Sequence, residues 1–121
     1  MLNSVKFAIR GVCTVWHEEQ NFRIQTLVAI IAVTAAFALN LGPVEKAMIF
    51  LCSAVVLVLE LMNSVFERMV DLLKPRLHHY VAEVKDIMAA TVLVFAASAA
   101  AVGIVIFWPH IARLVGQLSA Q

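Results

Sequence analysis

The chain has 121 residues, of which 63% are hydrophobic and only 14% carry a charge. A chain this short cannot bury so much apolar surface in a water-soluble core, so a soluble globular protein is excluded and lipid is the expected solvent. The formal net charge of +1, with no basic tail and no long run of like charge, argues against nucleic acid as a partner.

Residues 1–22 are predicted to form an amphipathic helix that lies on the membrane surface. Apolar residues recur at helical spacing, whereas Lys6, Arg10 and His17 lie off that stripe. Trp16 suits the headgroup level of a membrane. The alternative is a soluble amphipathic helix packed against the rest of the protein.

Three apolar segments are predicted to cross the membrane, at 24–41, 46–73 and 86–108. Each is long enough for a hydrocarbon core about 30 Å thick. The first ends at the breaker sequence NLGP, and Pro109 is predicted to stop the third. The second is apolar only at its start, and carboxylates then enter what still reads as one helix.

The basic residues predict the orientation of these spans. Seven of the nine lysines and arginines lie before the first span or between the second and the third, and only Lys46 and Arg113 lie on the opposite side. Cytoplasmic segments carry such an excess of positive charge. The N-terminus and the loop between the second and third spans are therefore expected in the cytoplasm, and the C-terminus outside.

The polar residues of the second span, in ELMNSVFERMVD, form one stripe. At about 100° per residue, Asn63 and Glu67 fall within about 60° of Glu60 around the helix. Ser64 and Asp71 fall within about 40° of it. Glu60 is the deepest of these residues, and Asp71 is the nearest to the cytoplasm. Ionisable residues inside a membrane usually face a bundle interior or an aqueous cavity, and they mark function by default.

Further polar residues are predicted at the cytoplasmic end of this stripe. Glu19 precedes the first span, and Lys85 and Asp86 open the third on the same side. Carboxylates with an asparagine bind hard cations such as Mg²⁺, and a nearby lysine attracts phosphate oxygens. A deeper glutamate such as Glu60 can act as general base on a lipid hydroxyl. The pattern favours phosphoryl transfer at the membrane surface, without the glycine-rich loops of soluble kinases.

Other interpretations stay open on these residues alone. Carboxylates near a helix end can simply be its solvated end, which explains Asp71 well and Glu60 poorly. A small proton-coupled transporter would also use a deep glutamate such as Glu60, and a non-catalytic membrane subunit is a third hypothesis. Glu18 is predicted to be a solvated neighbour of Glu19.

ELMNSVFERMVD resembles the ExxNxxxExxxD signature of the small bacterial integral-membrane lipid kinases, the diacylglycerol kinase and undecaprenol kinase family. Lys85 and Asp86 match the KD pair of that family, and WHEEQNFRIQ resembles its N-terminal segment. The resemblance extends from about residue 6 to residue 108. Four separated segments match in order, which makes the combined signal specific.

The resemblance implies an all-α integral membrane protein in the cytoplasmic membrane of a bacterial cell. It implies one lipid-kinase domain over 1–121 and a homotrimer whose active sites form between neighbouring subunits. ATP and Mg²⁺ are the implied phosphoryl donor and cofactor. The lipid is left open, since KFAIRGV favours undecaprenol whereas the NS at Asn63 and Ser64 favours diacylglycerol.

The resemblance also implies roles for single residues. Glu60 corresponds to the catalytic base that deprotonates the lipid hydroxyl, and Glu19 and Glu67 to the carboxylates linked to nucleotide through Mg²⁺. Trp16 and Arg23 fall where the surface helix meets the lipid substrate. The residues implied in ATP binding are Phe7, Glu19, Asn63, Glu67, Asp71, His78, Lys85 and Asp86.

Four positions depart from the family pattern, and two of them, Met88 and Ala89, replace small or hydroxyl residues just after the KD pair. Phe7 stands where a tyrosine is common near the nucleotide base, so it can stack but cannot donate a hydrogen bond. Gln25 replaces a glutamate or a histidine.

Overall fold

The computed structural model describes residues 2–73 and 78–119, in which it contains helices and turns but no strand. The helices are α1 (Leu2–Glu18), α2 (Gln20–Ala38), α3 (Pro43–Leu73) and α4 (His78–Leu118). Three segments are long and apolar enough to cross a membrane, namely Gln20–Ala38, Pro43–Leu72 and Tyr80–Leu118. The predicted all-α membrane fold, with three spanning helices, is confirmed.

The helix bounds differ from the predicted segments: α1 and α2 end earlier than predicted, whereas α2, α3 and α4 begin earlier and α4 ends later. α1 ends at Glu18 rather than at residue 22, and α2 begins at Gln20 rather than at residue 24. α3 begins at Pro43 rather than at 46, and α4 begins at His78 rather than at 86. The predicted starts of α2 and α4 followed the apolar stretches, whereas backbone hydrogen bonding begins in the polar residues that precede them.

The prediction that Pro109 stops the last helix is wrong, because α4 continues through Pro109 to Leu118. Nearby side chains bond to carbonyl groups of this helix. His110 Nδ1 lies 3.1 Å from the Ile106 carbonyl, and Arg113 Nε donates to the Pro109 carbonyl at 3.3 Å. Proline is tolerated within membrane helices.

The apolar stripe of α1 is mostly exposed. Val15 is buried, whereas Val5, Ile9, Val12 and Trp16 remain accessible. A soluble amphipathic helix would bury this stripe against the other helices. An exposed apolar stripe instead suits a helix that lies on a lipid surface.

A tight turn joins α2 to α3 and follows the Schellman pattern. The backbone N–H of Leu41 donates to the Ala36 carbonyl, and that of Asn40 donates to the Phe37 carbonyl, both at 3.1 Å. Asn40 has φ 50°, the left-handed conformation that such a turn requires. Leu41 and Ala36 are both buried and share the small apolar core at this end of the bundle.

α3 begins directly after this turn. Pro43 occupies the first helical position, where its missing N–H and fixed φ are favourable. The Gly42 N–H donates to Glu45 Oε2 at 2.7 Å, so a side chain satisfies a backbone donor at the helix start. Together the two helix ends fix how α2 and α3 lie side by side.

The left-handed residue predicts a contrast between two substitutions. Asn40→Gly should keep the stability of the protein or raise it slightly, because glycine adopts positive φ without steric cost. Asn40→Val should lower the free energy of unfolding by about 1–2 kcal/mol, because a β-branched side chain clashes in this conformation. Thermal unfolding in detergent measures both, and equal melting temperatures would contradict the prediction.

Candidate active site

The acidic face of α3 is graded by burial. Glu60 is 6% exposed and Ser64 is 1% exposed, and they are the buried polar residues among the described part of the chain. Asn63 and Glu67 are half-buried, and Asp71 is exposed. The helix therefore carries its carboxylates from a buried position to the surface, in the order that the stripe predicts.

A cleft of about 350 Å³ lies between α2, α3 and α4 on this face. Glu60, Asn63 and Glu67 supply its polar wall, so the structure brings together three of the predicted site residues. Apolar side chains of α4 face them across the cleft. The full lining is Asn21, Ile24, Gln25, Glu60, Asn63, Glu67, Ala89, Val92, Leu93 and Ala96.

Asn63 is oriented by Glu67 one turn further along α3. The Asn63 Nδ2 donates to Glu67 Oε1 at 3.1 Å, which fixes which side of the amide is the oxygen. The Asn63 Oδ1 is buried and has no hydrogen-bonding partner among the described residues. A buried oxygen without a partner is costly, so this atom is suited to accept a ligand hydrogen bond or a cation.

Glu19 reaches the same face of α3 from the break between α1 and α2. Its backbone is extended, with φ −105° and ψ 111°, and its side chain does not cap α2. Instead Glu19 Oε1 accepts a hydrogen bond from the Ser64 hydroxyl at 3.3 Å. Ser64 was not predicted as a site residue, although its position on the acidic stripe was a signal that could have identified it.

Lys85 and Asp71 join α4 to α3 above the cleft. Lys85 Nζ lies 2.8 Å from Asp71 Oδ1, and both side chains are partly exposed. The sequence predicted these two residues at one rim, and the structure places them in contact. The pair adds an ammonium group close to the exposed end of the carboxylate series.

Asp86 lies apart from Lys85 although the two are adjacent in sequence. It is exposed beside Glu83 and Ala90, around a separate surface cavity of about 480 Å³. Successive residues on a helix point about 100° apart, so they cannot both face α3. One chain therefore does not bring Asp86 into the cleft, and its role in ATP binding stays a prediction.

Glu18 is not simply a solvated neighbour of Glu19, as the sequence suggested. Its Oε2 pairs with Arg68 Nη2 at 2.9 Å, across 50 positions of sequence. Glu18 immediately precedes Glu19, and Arg68 immediately follows Glu67. The ion pair thus connects the two chain segments that carry the predicted metal-linked carboxylates.

Arg23 and Trp16 lie at the α1–α2 junction and do not line the cleft. Arg23 Nη1 donates to the carbonyl groups of Trp16 and His17, both at 3.4 Å. The guanidinium thereby satisfies the last carbonyls of α1. The Trp16 ring lies edge-on to Phe22, with ring centroids 6.4 Å apart. Their contact with a lipid substrate stays a prediction.

One further predicted ATP ligand, Phe7, does not line this cleft. Phe7 is 63% exposed on α1, where the Arg10 guanidinium lies 5.9 Å from its ring centroid. The His78 side chain lies outside those that the structure describes.

The oxygen atoms at the cleft fit Mg²⁺ only with help from a ligand. No group of three or more His, Cys, Asp or Glu side chains converges on one point in residues 2–73 and 78–119. Mg²⁺ is usually held by one or two carboxylates together with substrate phosphates and water. Glu19, Glu67 and the unpartnered Asn63 Oδ1 are suitable oxygen donors for such a shared ion.

Comparison with known proteins gives a consistent match. A family model for prokaryotic diacylglycerol kinase matches residues 6–107. The chain is 34% identical over 116 residues to a diacylglycerol kinase of Synechocystis, an alignment that covers 95% of this chain and 66% of the relative. It is 31% identical over 102 residues to an undecaprenol kinase of Bacillus subtilis, with 84% and 83% covered. It is 23% identical over 110 residues to a diacylglycerol kinase of Escherichia coli, with 91% and 90% covered.

Proposed function

The chain belongs to the prokaryotic diacylglycerol kinase family, and from this premise we propose that it transfers the γ-phosphoryl group of ATP to the hydroxyl of a membrane lipid alcohol. The family places it among phosphotransferases that act on an alcohol group. The observation that carries the proposal is the cleft in which a buried carboxylate, Glu60, lies below the paired side chains of Asn63 and Glu67. A transporter built around Glu60 would not require this polar wall or the Lys85–Asp71 contact above it.

In this mechanism the oxygen of the lipid hydroxyl attacks the γ-phosphorus of ATP while Glu60 accepts the hydroxyl proton. The bond between the γ-phosphorus and the oxygen bridging to the β-phosphate breaks, and ADP leaves with its electrons. The low exposure of Glu60 keeps water from competing with the lipid for the phosphoryl group. Bound Mg²⁺ would neutralise charge on the transferring and leaving phosphates. Positioning and electrostatics then supply most of the catalysis.

The remaining side chains bind and orient the nucleotide. Glu19 and Glu67 would hold the metal ion, and the Asn63 Oδ1 would complete their oxygen set. Lys85 would bind phosphate oxygens as a point charge, while Asp71 keeps its ammonium group at the rim.

The lipid substrate is a diacylglycerol or an undecaprenol, which would give phosphatidic acid or undecaprenyl phosphate. Both names occur among the relatives, on the Synechocystis and the Bacillus enzymes respectively. Glu60 sits on α3 toward the apolar half of that helix, a depth that suits a hydroxyl held at the bilayer interface. Trp16 and Arg23, at the end of the surface helix, would lie at the headgroup level beside this lipid.

We further propose a homotrimer in the bacterial cytoplasmic membrane, with the N-terminus and the α3–α4 loop in the cytoplasm. The distribution of basic residues supports this orientation. Phe7 and Asp86, which lie outside the cleft of their own chain, support a site shared between subunits. A neighbouring chain that brings its own Phe7 or Asp86 to this cleft would complete the nucleotide site.

The test is a side-by-side assay of the purified protein in lipid micelles with ATP, Mg²⁺ and either diacylglycerol or undecaprenol. Transfer of radiolabelled γ-phosphate to one of the lipids is expected, and it must be lost when Mg²⁺ is chelated. Phosphorylation of neither lipid while ATP still binds would refute the substrate assignment. Labelling that survives chelation would refute the role of the metal.

A further inference from the structure

Two side-chain contacts tie the α1–α2 junction to α3 in the described part of the chain. The first is the ion pair between Glu18 Oε2 and Arg68 Nη2 at 2.9 Å, with side chains 60% and 44% exposed. The second is the hydrogen bond from the Ser64 hydroxyl to Glu19 Oε1 at 3.3 Å. One contact lies at the surface and the other is partly buried, so together they restrain both the position and the rotation of the junction.

The junction needs such restraint because Glu19 stands at a break between two helices. Its backbone is extended, and its carboxylate is not used to cap α2. The direction in which this carboxylate points is therefore set by how the junction is held against α3. Glu67, by contrast, is fixed within the continuous helix α3.

Given the proposed function, we infer that Glu18 and Arg68 are positioning residues that hold Glu19 opposite Glu67 and so set the affinity for Mg²⁺-bound nucleotide. Glu18 and Arg68 adjoin Glu19 and Glu67 directly in sequence. A contact between Glu18 and Arg68 therefore restrains the positions of the two carboxylates closely. Neither Glu18 nor Arg68 lines the cleft.

Two simpler roles give different expectations. A partly exposed ion pair contributes little to stability, so a purely stabilising role predicts a small change in melting temperature and unchanged nucleotide affinity. Arg68 acting directly on phosphate oxygens predicts that loss of Arg68 weakens binding whether or not Glu18 is present. A positioning pair predicts that loss of either residue lowers nucleotide affinity, and that loss of the second residue then has no further effect.

A double-mutant cycle in the full-length protein separates these roles, using Glu18→Gln, Arg68→Gln and the double variant. Calorimetric binding of β,γ-methylene-ATP with Mg²⁺ gives a readout besides turnover. Each single variant should raise the Kd of this analogue, and the KM for Mg-ATP, by about fivefold. The double variant should be no weaker than either single one, and the KM for the lipid and kcat should barely change.

Two further variants serve as controls for the double-mutant cycle. Arg68→Lys keeps the charge and should retain most of the affinity, which shows that position 68 tolerates substitution. Glu45→Gln removes the carboxylate that lies 3.6 Å from His110 at the other end of the bundle, and it should leave nucleotide affinity unchanged.

Additive losses, or a loss with Arg68→Gln but none with Glu18→Gln, would overturn the positioning role and assign Arg68 to the phosphates. Unchanged affinity in all three variants would overturn it as well. These failures differ from failure of the proposed function, in which the wild-type protein itself phosphorylates neither lipid.

Discussion

Replacing Glu60 with glutamine should lower kcat for lipid phosphorylation by about 10²- to 10⁴-fold, the usual contribution of a general base. Glutamine has nearly the same size and shape, so the 6% exposed position should still pack. It cannot accept a proton from the lipid hydroxyl. Steady-state turnover measures the loss, and calorimetric binding of β,γ-methylene-ATP with Mg²⁺ should show nearly unchanged affinity.

Glu45→Gln is the matched control for this substitution, because Glu45 is a partly exposed carboxylate near the start of α3, at the other end of the bundle from the cleft. It should turn over at the wild-type rate. Full turnover by Glu60→Gln would remove the base assignment. Absence of lipid phosphorylation by the wild-type protein, together with proton-driven solute flux in vesicles that Glu60→Gln abolishes, would favour a transporter.

Glu67→Gln should act on binding rather than on proton transfer, and weaken the affinity for Mg²⁺-bound nucleotide by at least about tenfold. The substitution retains a side-chain oxygen to accept the Asn63 hydrogen bond, which is 3.1 Å long in the structure. It therefore removes mainly the negative charge that a metal ion requires. Titration of turnover with Mg²⁺ should show a matching increase in the concentration needed for half-maximal activity.

Glu60→Gln provides the comparison for this second prediction, because both variants lose one carboxylate from the same cleft. Only the Glu67 variant should lose nucleotide affinity. If Glu67→Gln binds the analogue as tightly as the wild type, Glu67 is not a metal-linked carboxylate. Equal loss of affinity in the two variants would mean that the cleft is not divided into a proton-accepting end and a nucleotide end.

The stripe on α3 could be predicted because it depends only on helical geometry within one segment. The 100° step places Glu60, Asn63 and Glu67 on one side of the helix, and the structure opens a cleft there. The placement of Lys85 and Asp71 at one rim also followed from the order of the spans, and the structure adds that the two side chains are in contact. These parts of the site need only local periodicity and topology.

Other parts depend on tertiary packing and were not predictable in this way. The partnership of Glu18 with Arg68 depends on where the break at Glu19 sets α1 against α3.

The separation of Asp86 from the cleft, by contrast, could have been predicted from helical geometry, because adjacent helical residues diverge by about 100°. The family resemblance instead grouped Lys85 and Asp86 as one pair. Two residues that share a sequence motif need not have side chains that point the same way.

The continuation of α4 through Pro109 was missed for a different reason. In water a proline within a helix usually ends or kinks it, whereas in lipid the backbone has no competing hydrogen-bond partner. The single lipid-kinase domain over 1–121 stays a prediction.

The turn between α2 and α3 also bears on how the chain enters its membrane. In the proposed orientation this turn is the part of a helical hairpin that must be carried across the hydrocarbon during insertion. The backbone N–H groups of Asn40, Leu41 and Gly42 already have hydrogen-bonding partners within the turn. Few peptide N–H groups would therefore enter the hydrocarbon without a hydrogen bond. The Lys46 ammonium group lies 5.0 Å from the centre of the Phe37 ring. This cation–π contact lowers the free-energy cost of moving its charge into the hydrocarbon. The hairpin thus resembles a preassembled unit for translocation, formed before the acidic cleft at its other end has any nucleotide to bind.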